Sequence, residues 1–288
     1  MDLLDKNGVA YQVNNRKVLG GLELDIWIPK HRVAIEINGL YWHSDKFMGK
    51  DYHYQKAVMC KRKDIVLLQF WDYEIKNKFK IVSSILRSKL GRSTRVFARS
   101  LEVQKLEPTT ARTWFTDNHL QGAVNSLFNY GLVDSERKIL CAMSFARPRF
   151  SKHEWELTRM ATAPGHTVVG GASRLLAAFT REVCPTEILS YADLRYSQGN
   201  VYKSIGMRFS HKSAPNYFYY LDGKGGEDAF RISRYAAQKH KLGKLLPNFD
   251  PKKTEEANMK TNGYRRVFDA GNLVFVKHIK MIDQHAFA

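Results

Sequence analysis

Two short segments near the N-terminus alternate apolar and polar residues with the period of two that a β-strand requires. They are LELDIWI at residues 22–28 and VAIEIN at residues 33–38, separated by a Pro-led PKHR turn. Successive side chains of a strand point to opposite faces, so each segment presents one apolar face to a core. The connection is of hairpin length and sets Ile28 opposite Val33. The pattern predicts a β-hairpin with one buried face.

This register places two carboxylates across from one another. Counting back from the turn, Asp25 falls opposite Glu36. Facing side chains of an antiparallel pair lie ~4.5–5.5 Å apart, where like charges repel. A divalent cation that prefers oxygen ligands would remove the repulsion, so the pair predicts a Mg²⁺ (or Mn²⁺) site held by Asp25 and Glu36. The alternative is an exposed polar face on which both carboxylates are solvated.

The residues after the second strand extend this candidate site. Asn38 lies on the same face as the two carboxylates, and Gly39 lets the chain turn towards Tyr41, Trp42 and His43. Aromatic side chains beside an acidic pair suit a surface that stacks on or wedges into DNA. We therefore predict that Trp42 contacts DNA.

The rest of the chain alternates helical and extended patterns. A helix at 51–63, a strand at 65–70 and a helix from Glu74 to Gly91 complete a first α/β unit. A second α/β pattern follows, with an apolar helix after Gly170-Gly171, and residues 263–276 read as a terminal hairpin. We predict three domains: 1–92, 93–225, and a basic C-terminal extension at 226–288.

The composition excludes several classes of protein. The chain has 288 residues, a net charge of +18 at pH 7 and 44% hydrophobic residues, which argues against a disordered basic tail. No apolar run approaches the ~18 residues of a membrane span, and the N-terminus lacks the apolar run of a secretory signal. Three widely separated cysteines favour neither a disulfide framework nor a zinc finger. We expect a cytoplasmic protein that does not bind membranes.

The excess of positive charge predicts a polyanionic partner, and double-stranded DNA is the partner we expect. A stretch near residue 235 interleaves cations with aromatic residues, which can track phosphates and stack on bases. The alternative is a solvated helix face. The cations predicted to bind DNA are Arg231, Arg234, Lys239 and Lys241.

The N-terminal motifs resemble a known nuclease branch. Residues 23–29 (ELDIWIP), 34–43 (AIEINGLYWH), 52–56 and 65–71 are similar to the very-short-patch-repair-like (EDxHD) branch of the PD-(D/E)XK nucleases, and specifically to its phage-type homing endonucleases. The resemblance covers roughly residues 14–92. It implies a mixed sheet flanked by helices, a metal-activated water that hydrolyses a phosphodiester bond, and a bacterial host cytoplasm if the chain is phage-encoded.

The same resemblance assigns roles to individual residues. Asp25 and Glu36 would bind the metal, with Asn38 beside them, and His43 would act as acid and base. His53 and Lys56, one helical turn apart, would face the same site. One departure is clear: the family carries a further glutamate ahead of the first strand, whereas Asp2 and Asp5 are the only acidic residues before Glu23.

The second half resembles the GCN5-related acyltransferase (GNAT) fold. Residues 167–176 (TVVGGASRLL) are similar to its pyrophosphate loop and residues 200–209 (NVYKSIGMRF) to its later helix and strand. Thr167 stands where an Arg or Gln is usual, so we expect no acyl-CoA and a module that positions DNA. A glycine pair before a helix is equally typical of a tight packing turn.

The sequence therefore predicts an α/β protein with a PD-(D/E)XK-like nuclease core and a GNAT-like C-terminal domain. The expected function is sequence-specific, metal-dependent DNA cleavage, by nicking or by cutting both strands, as a monomer or homodimer. Two alternatives stay open. One is a DNA-binding protein with a decayed nuclease site, and the other is an acyl- or nucleobase-modifying transferase that uses the GNAT-like domain.

Overall fold

The computed structural model describes residues 1–149, 151–222 and 231–279. The helices are α1 (Asp2–Asp5), α2 (Tyr52–Arg62), α3 (Asp72–Asn77), α4 (Phe79–Lys89), α5 (Pro108–Asn118), α6 (Gly171–Val183), α7 (Asn200–Ser204), α8 (Lys239–Leu242) and α9 (Glu255–Thr261). The strands are β1 (Gln12–Leu19), β2 (Leu22–Ile28), β3 (Val33–Asn38), β4 (Val66–Trp71), β5 (Thr94–Phe97), β6 (Glu102–Lys105), β7 (Phe128–Val133), β8 (Ile139–Ala146), β9 (Trp155–Thr162), β10 (His166–Val169), β11 (Glu187–Asp193), β12 (Arg208–Lys212), β13 (Tyr217–Leu221), β14 (Arg231–Ser233), β15 (Tyr264–Phe268) and β16 (Asn272–His278).

Contacts group the chain into two compact units. Unit 1 comprises residues 1–77, 193–197 and 213–272, and unit 2 comprises residues 78–192, 198–212 and 273–288. The predicted domains 1–92, 93–225 and 226–288 divide the chain differently and stay a prediction. Part of the predicted C-terminal extension, residues 226–230 and 280–288, lies outside the described residues.

Unit 1 contains a mixed four-stranded sheet in the order β1-β2-β3-β4. The predicted hairpin register is present, since Ile28 pairs with Val33 and Ile26 with Ile35 in antiparallel strands. Strand β4 pairs parallel to β3, and helix α2 makes the crossover that a parallel pair requires. Unit 1 also holds a three-stranded sheet in the order β14-β13-β15.

Unit 2 is built on a seven-stranded sheet in the order β12-β16-β11-β9-β8-β7-β6. Helix α6 packs on this sheet through the apolar residues that the sequence pattern identified. Phe179 is fully buried and stacks on Phe145 of β8 with ring centroids 3.7 Å apart. A separate parallel pair joins β5 to β10. The predicted α/β class is thus confirmed for the molecule, while a PD-(D/E)XK core is not established.

Two local predictions were wrong for identifiable reasons. The helix expected from Glu74 to Gly91 is interrupted at Lys78, whose backbone leaves the helical region and whose Nζ donates to the carbonyl oxygen of Leu120 at 2.8 Å. The expected terminal hairpin does not form, because β15 pairs with β13 whereas β16 pairs with β12. At the turn between them Gly271 has φ +76°, and a Cβ there would lie 2.7 Å from the carbonyl oxygen of Ser213.

Candidate functional site

The two predicted carboxylates are brought together at the β2–β3 pairing in unit 1. The backbone N–H of Asp25 donates to Oε1 of Glu36 at 3.3 Å, and the N–H of Ile37 donates to Oδ2 of Asp25 at 2.7 Å. Each side chain thus accepts a hydrogen bond from the opposite strand. Asp25 is half-buried, whereas Glu36 is buried.

A buried lysine neutralises Glu36. Lys56 of α2 forms an ion pair with Oε2 of Glu36, and both side chains are 3% exposed. Burial raises the pKa of Glu36 to about 7; the attraction of Lys56 opposes the shift and the repulsion of Asp25 adds to it. A carboxyl group with this pKa can exchange protons near neutral pH.

His53, also on α2, is held by a glutamine of the neighbouring strand. Its Nδ1 lies 2.8 Å from Oε1 of Gln69, and Nε2 of Gln69 donates to the carbonyl oxygen of His53 at 3.2 Å. Burial, together with the nearby His43, lowers the pKa of His53 to about 3. The His53 ring is therefore neutral at physiological pH.

His43 lies beside His53, with ring centroids 4.9 Å apart. Burial and the charge of Lys56 lower the pKa of His43 to about 4. Among the described residues no hydrogen-bond partner reaches His43 Nδ1, His53 Nε2 or Asn38 Nδ2, although all three atoms are buried. Buried polar atoms normally have partners, so these atoms suit a polar group or water.

The residues around Asp25 and Glu36 do not form the metal site that the sequence predicted. Within the described parts of the chain no group of three or more His, Cys, Asp or Glu is arranged to hold a metal ion. Asp25 and Glu36 are only two candidate ligands, and Glu36 is already paired with an ammonium group. The Mg²⁺ (or Mn²⁺) site stays a prediction.

Sequence reasoning missed a buried ionic cluster in unit 1. Arg195 donates to both carboxylate oxygens of Glu74 and to Oδ2 of Asp193, with all three side chains at most 8% exposed. The backbone of Arg195 also accepts a hydrogen bond from the N–H of Gln69, the residue that holds His53. The cluster is therefore linked by a backbone hydrogen bond to strand β4 at Gln69.

An exposed aromatic patch lies just after β3. We define this patch as Tyr41, Trp42, Lys46 and Phe47. The Trp42 side chain is 62% exposed, and its ring centroid lies 4.9 Å from that of Tyr41 and 5.2 Å from that of Phe47. Lys46 Nζ lies 5.0 Å from the Tyr41 ring centroid. An exposed aromatic cluster with a cation is typical of an interaction surface.

The predicted DNA-binding cations also lie in unit 1. Arg231, Arg234 and Lys239 are exposed and Lys241 is half-buried. Three of them lie over aromatic rings: the Arg231 guanidinium is 3.3 Å from the ring centroid of Tyr73, that of Arg234 is 5.1 Å from Tyr217, and Lys241 Nζ is 3.3 Å from Tyr235. Their accessibility is compatible with phosphate contact.

Unit 2 contains a second candidate site, where two parallel strands part. Strand β11 pairs with β9 over three residues, the last pair being Ser190 and Leu157, yet β9 continues to Thr162. The pairing of β8 with β9 skips Thr158, which marks a β-bulge at the same point. Bulges occur beside active sites, where they redirect the chain. The opening beyond Leu157 leaves one edge of β9 without β11.

A cleft of about 540 Å³ lies at the N-terminus of α6 in the same unit. Gly170 there has φ +79°, and Gly171 begins the helix. Arg99, Arg174 and Ser173 line the cleft, and Arg174 donates to the carbonyl oxygen of Ala98. Helix N-termini and arginines both favour anions. Sequence reasoning identified the glycines but gave no role to Arg174, which lies in the same segment, and missed Arg99, which lies about 70 residues earlier in the chain.

No family model and no curated protein matches this chain. Solved structures that match include a spermidine N-acetyltransferase mutant from Vibrio cholerae (12% identity, 40% of this chain and 83% of that chain, TM-score 0.31) and a GNAT-family acetyltransferase from Bacillus anthracis (12%, 62% and 95%, 0.32). A ribosomal-protein-S5-alanine acetyltransferase from Vibrio fischeri matches with 14% identity over 40% of this chain and 82% of that chain, with a TM-score of 0.31. At this identity and TM-score the matches assign no substrate to this chain.

The nuclease interpretation was wrong. The predicted nuclease resemblance, the homing or nicking endonuclease function and the phosphodiester hydrolase class are overturned by these matches, which are acetyltransferases and not nucleases. In unit 1 the buried ammonium group of Lys56 is paired with Glu36 and offsets part of the repulsion between Glu36 and Asp25. No helix among the described residues has the length and apolar character needed to cross a bilayer.

Proposed function

We propose that unit 2 is an acyltransferase that binds an acyl thioester of the coenzyme A type between β9 and β11. The observation that carries the proposal is the parting of these parallel strands after Leu157 and Ser190, beside the bulge at Thr158. Backbone N–H and C=O groups along an open strand edge need partners. A carrier with amide groups in an extended arm can supply them in the manner of an added strand.

The cleft at the N-terminus of α6 supports the same proposal, because it suits the phosphates of such a carrier. Arg99 and Arg174 line it, and α6 is a helix of 13 residues that begins at Gly171. This departs from the expectation of no acyl-CoA, which rested on Thr167 in place of a basic residue. The Thr167 hydroxyl is instead bonded to that of Ser93 at 2.6 Å, and the two arginines supply the positive charge.

Two side chains next to the β9–β11 opening can accept or donate a proton during acyl transfer. Glu156 is opposite Leu189 in the last paired stretch, and burial raises the pKa of its carboxyl group. Tyr202 donates its hydroxyl to the carbonyl oxygen of Tyr191 at 3.2 Å. An acceptor amine would attack the thioester carbonyl, forming a C–N bond as the C–S bond breaks. Glu156 would accept the amine proton, and Tyr202 would supply one to the departing thiolate.

The net positive charge of the chain favours an acyl acceptor that is carried by a polyanion. With a net charge of +18, the protein repels cationic small molecules and attracts nucleic acid. We therefore propose an amine carried by nucleic acid as the acceptor, and a cytoplasmic location. A polycation such as spermidine is disfavoured by the same charge.

Acetyl-CoA binding and transfer test the proposal. Isothermal titration calorimetry of the wild type should detect acetyl-CoA binding, and Arg99→Gln should weaken it by about tenfold or more, because a charge-assisted phosphate contact is worth about 1.5–3 kcal/mol. Radiolabel from acetyl-CoA should then appear in nucleic acid supplied as acceptor. Arg112→Gln is the matched control, since Arg112 is exposed on α5 and does not line the cleft.

Absence of acetyl-CoA binding by the wild type would refute the proposal. Equal weakening of acetyl-CoA binding by Arg99→Gln and Arg112→Gln would show a non-specific charge effect. The cleft at the N-terminus of α6 would then no longer be part of the proposed site. Binding without transfer to any nucleic acid tested would refute the acceptor while leaving the carrier site in place.

A second candidate function is nucleic-acid binding by unit 1. The observation that favours it is the aromatic patch, in which Trp42 is 62% exposed and Lys46 Nζ lies 5.2 Å from the ring centroid of Phe47. Ordinary single exposed apolar residues need no explanation, but a cluster of three exposed rings does. Double-stranded DNA stays the proposed partner, as a monomer or homodimer, with Arg231, Arg234, Lys239 and Lys241 as proposed phosphate contacts.

A further inference from the structure

Helix α5 of unit 2 borders a groove formed by two adjoining clefts, of about 350 and 470 Å³. We call this feature the α5 groove. Trp114, Asn118 and Ile139 line both clefts, so the two share a wall. None of the residues lining the α5 groove lines the cleft at the N-terminus of α6. The α5 groove is therefore separate from the proposed acyl-carrier site.

One half of the α5 groove is cationic. Its lining includes Lys80, Arg137 and Lys138. Both lysines are exposed, so their ammonium groups can reorient towards a ligand. Arg137 is paired with Glu102 at 3.1 Å, but both side chains are more than 60% exposed, and such surface pairs are weak and easily exchanged. This half suits a phosphate group.

Trp114 supplies an aromatic surface between the two halves. Its Nε1 donates to the carbonyl oxygen of Ile139 at 3.3 Å, and its ring packs edge-on against Phe115 with centroids 5.2 Å apart. The indole is thus held in place, yet it is only half-buried. A fixed, accessible indole is a stacking surface for a planar ring.

The other half of the α5 groove carries hydroxyl groups. Thr109, Thr110 and Thr113 line it together with Asp117. Hydroxyls donate and accept hydrogen bonds, as a sugar requires, while the Asp117 carboxylate repels a phosphate. The two halves therefore favour one orientation, with the phosphate of a ligand on the cationic side.

We propose that the α5 groove binds a nucleoside monophosphate unit, with its base against Trp114 and its phosphate beside Lys80 and Lys138. Cations, a stacking surface and hydroxyls along one groove match the three parts of that ligand. The unit can come from a free nucleotide or from a single-stranded nucleic acid, since both present the same chemistry.

Calorimetric titration with adenosine 5′-monophosphate tests the proposal. Lys80→Gln/Lys138→Gln should weaken binding by about tenfold or more, because two charge-assisted phosphate contacts are lost. The matched control is Lys61→Gln/Lys63→Gln, which removes the same charge from exposed lysines of unit 1 and should change affinity by less than about twofold. Trp114→Leu should weaken binding of the nucleotide but not of inorganic phosphate, with folding checked by circular dichroism.

Further ligands distinguish a free nucleotide from a single-stranded nucleic acid and test the competing explanations of binding. A short oligodeoxyadenylate that binds more tightly than the mononucleotide, and loses affinity in the same variants, assigns the groove to single strands; preference for the mononucleotide assigns it to free nucleotides. Adenosine binding as tightly as its monophosphate would overturn the proposal. Equal loss in the two double-lysine variants would also overturn it, and so would loss in Arg99→Gln alone, which would place the nucleotide at the N-terminus of α6.

Discussion

Lys56 and Glu36 illustrate how a single buried pair changes the meaning of a sequence pattern. The two side chains are buried against each other on α2 and β3. A lone carboxylate in this position is unfavourable, and the lysine offsets that cost through its charge. The pairing lowers the cost of placing Glu36 beside Asp25.

Lys56→Met should destabilise the protein most at high pH. Without the ammonium, Glu36 at pH 8 must either stay charged and unpaired or take up a proton on folding, and breaking such a buried pair costs about 3–5 kcal/mol. Because burial raises the pKa of Glu36 to about 7, this group is mostly protonated at pH 5, and the loss should be smaller there. Urea unfolding at both pH values measures the difference. Glu36→Gln combined with Lys56→Met should recover most of the loss at pH 8; equal losses at both pH values would contradict this account.

His53 should make stability fall in acid. Its pKa is lowered from 6.5 to about 3 by burial, so the folded state prefers the neutral ring. The contribution is fully present above pH 6.5 and is lost as pH falls towards 3, at up to about 1.4 kcal/mol per pH unit. His53→Gln should flatten the dependence of unfolding free energy on pH in that range. His211→Gln, at an exposed histidine, should leave the slope unchanged, and an unchanged slope in both variants would reject the assignment.

At the scale of elements, short-range patterns were reliable where one face of an element is buried. The β2–β3 register followed from alternation and turn length, and the apolar helix after Gly170 became α6. The patterns failed where a side chain contacts a distant segment. The expected long helix is interrupted at Lys78, whose side chain bonds a carbonyl 42 residues away, and the strands expected as a terminal hairpin join different sheets.

The start of α7 offers a test of close packing. Gly199 has φ +76°, and a Cβ there would lie 2.3 Å from Cζ of Phe275, which is fully buried. Gly199→Ala should therefore cost backbone strain of about 1–3 kcal/mol plus a similar cost for overpacking. Gly165→Ala is the control, because Gly165 has φ +85° with no atom within 4 Å of the added Cβ. Thermal unfolding should show a larger loss for Gly199→Ala, and equal losses would rule out the clash.

At the scale of the whole molecule, the net charge of +18 predicts salt-dependent binding to DNA. Each phosphate contact changes the slope of log K against log salt concentration by about 0.9. The triple variant Arg231→Gln/Arg234→Gln/Lys239→Gln should reduce that slope if its cations touch phosphates. Fluorescence anisotropy of a labelled duplex, titrated with salt, measures the effect.

The matched control for this experiment is Lys61→Gln/Arg62→Gln/Lys63→Gln, which removes the same charge from exposed residues of α2 and the turn after it. Equal slopes for the two triple variants would show that the cations near residue 235 act only through net charge. Trp42→Ala should lower affinity with little change of slope, because ring stacking releases no counterions. A wild type with no affinity for the duplex would refute DNA as the partner.

The sequence by itself determined the α/β class, the hairpin register and the positive charge, because alternation, turn length and composition are local or summed properties of a chain. It could not decide what neutralises Glu36 or which cations border the N-terminus of α6. Tertiary structure alone decided these. The bond from Arg195 to Glu74 joins residues 121 positions apart, and the β9–β11 opening depends on which strands become neighbours in the sheet. Local patterns report which face of an element is buried, whereas the chemistry of a site depends on partners that folding brings from elsewhere in the chain.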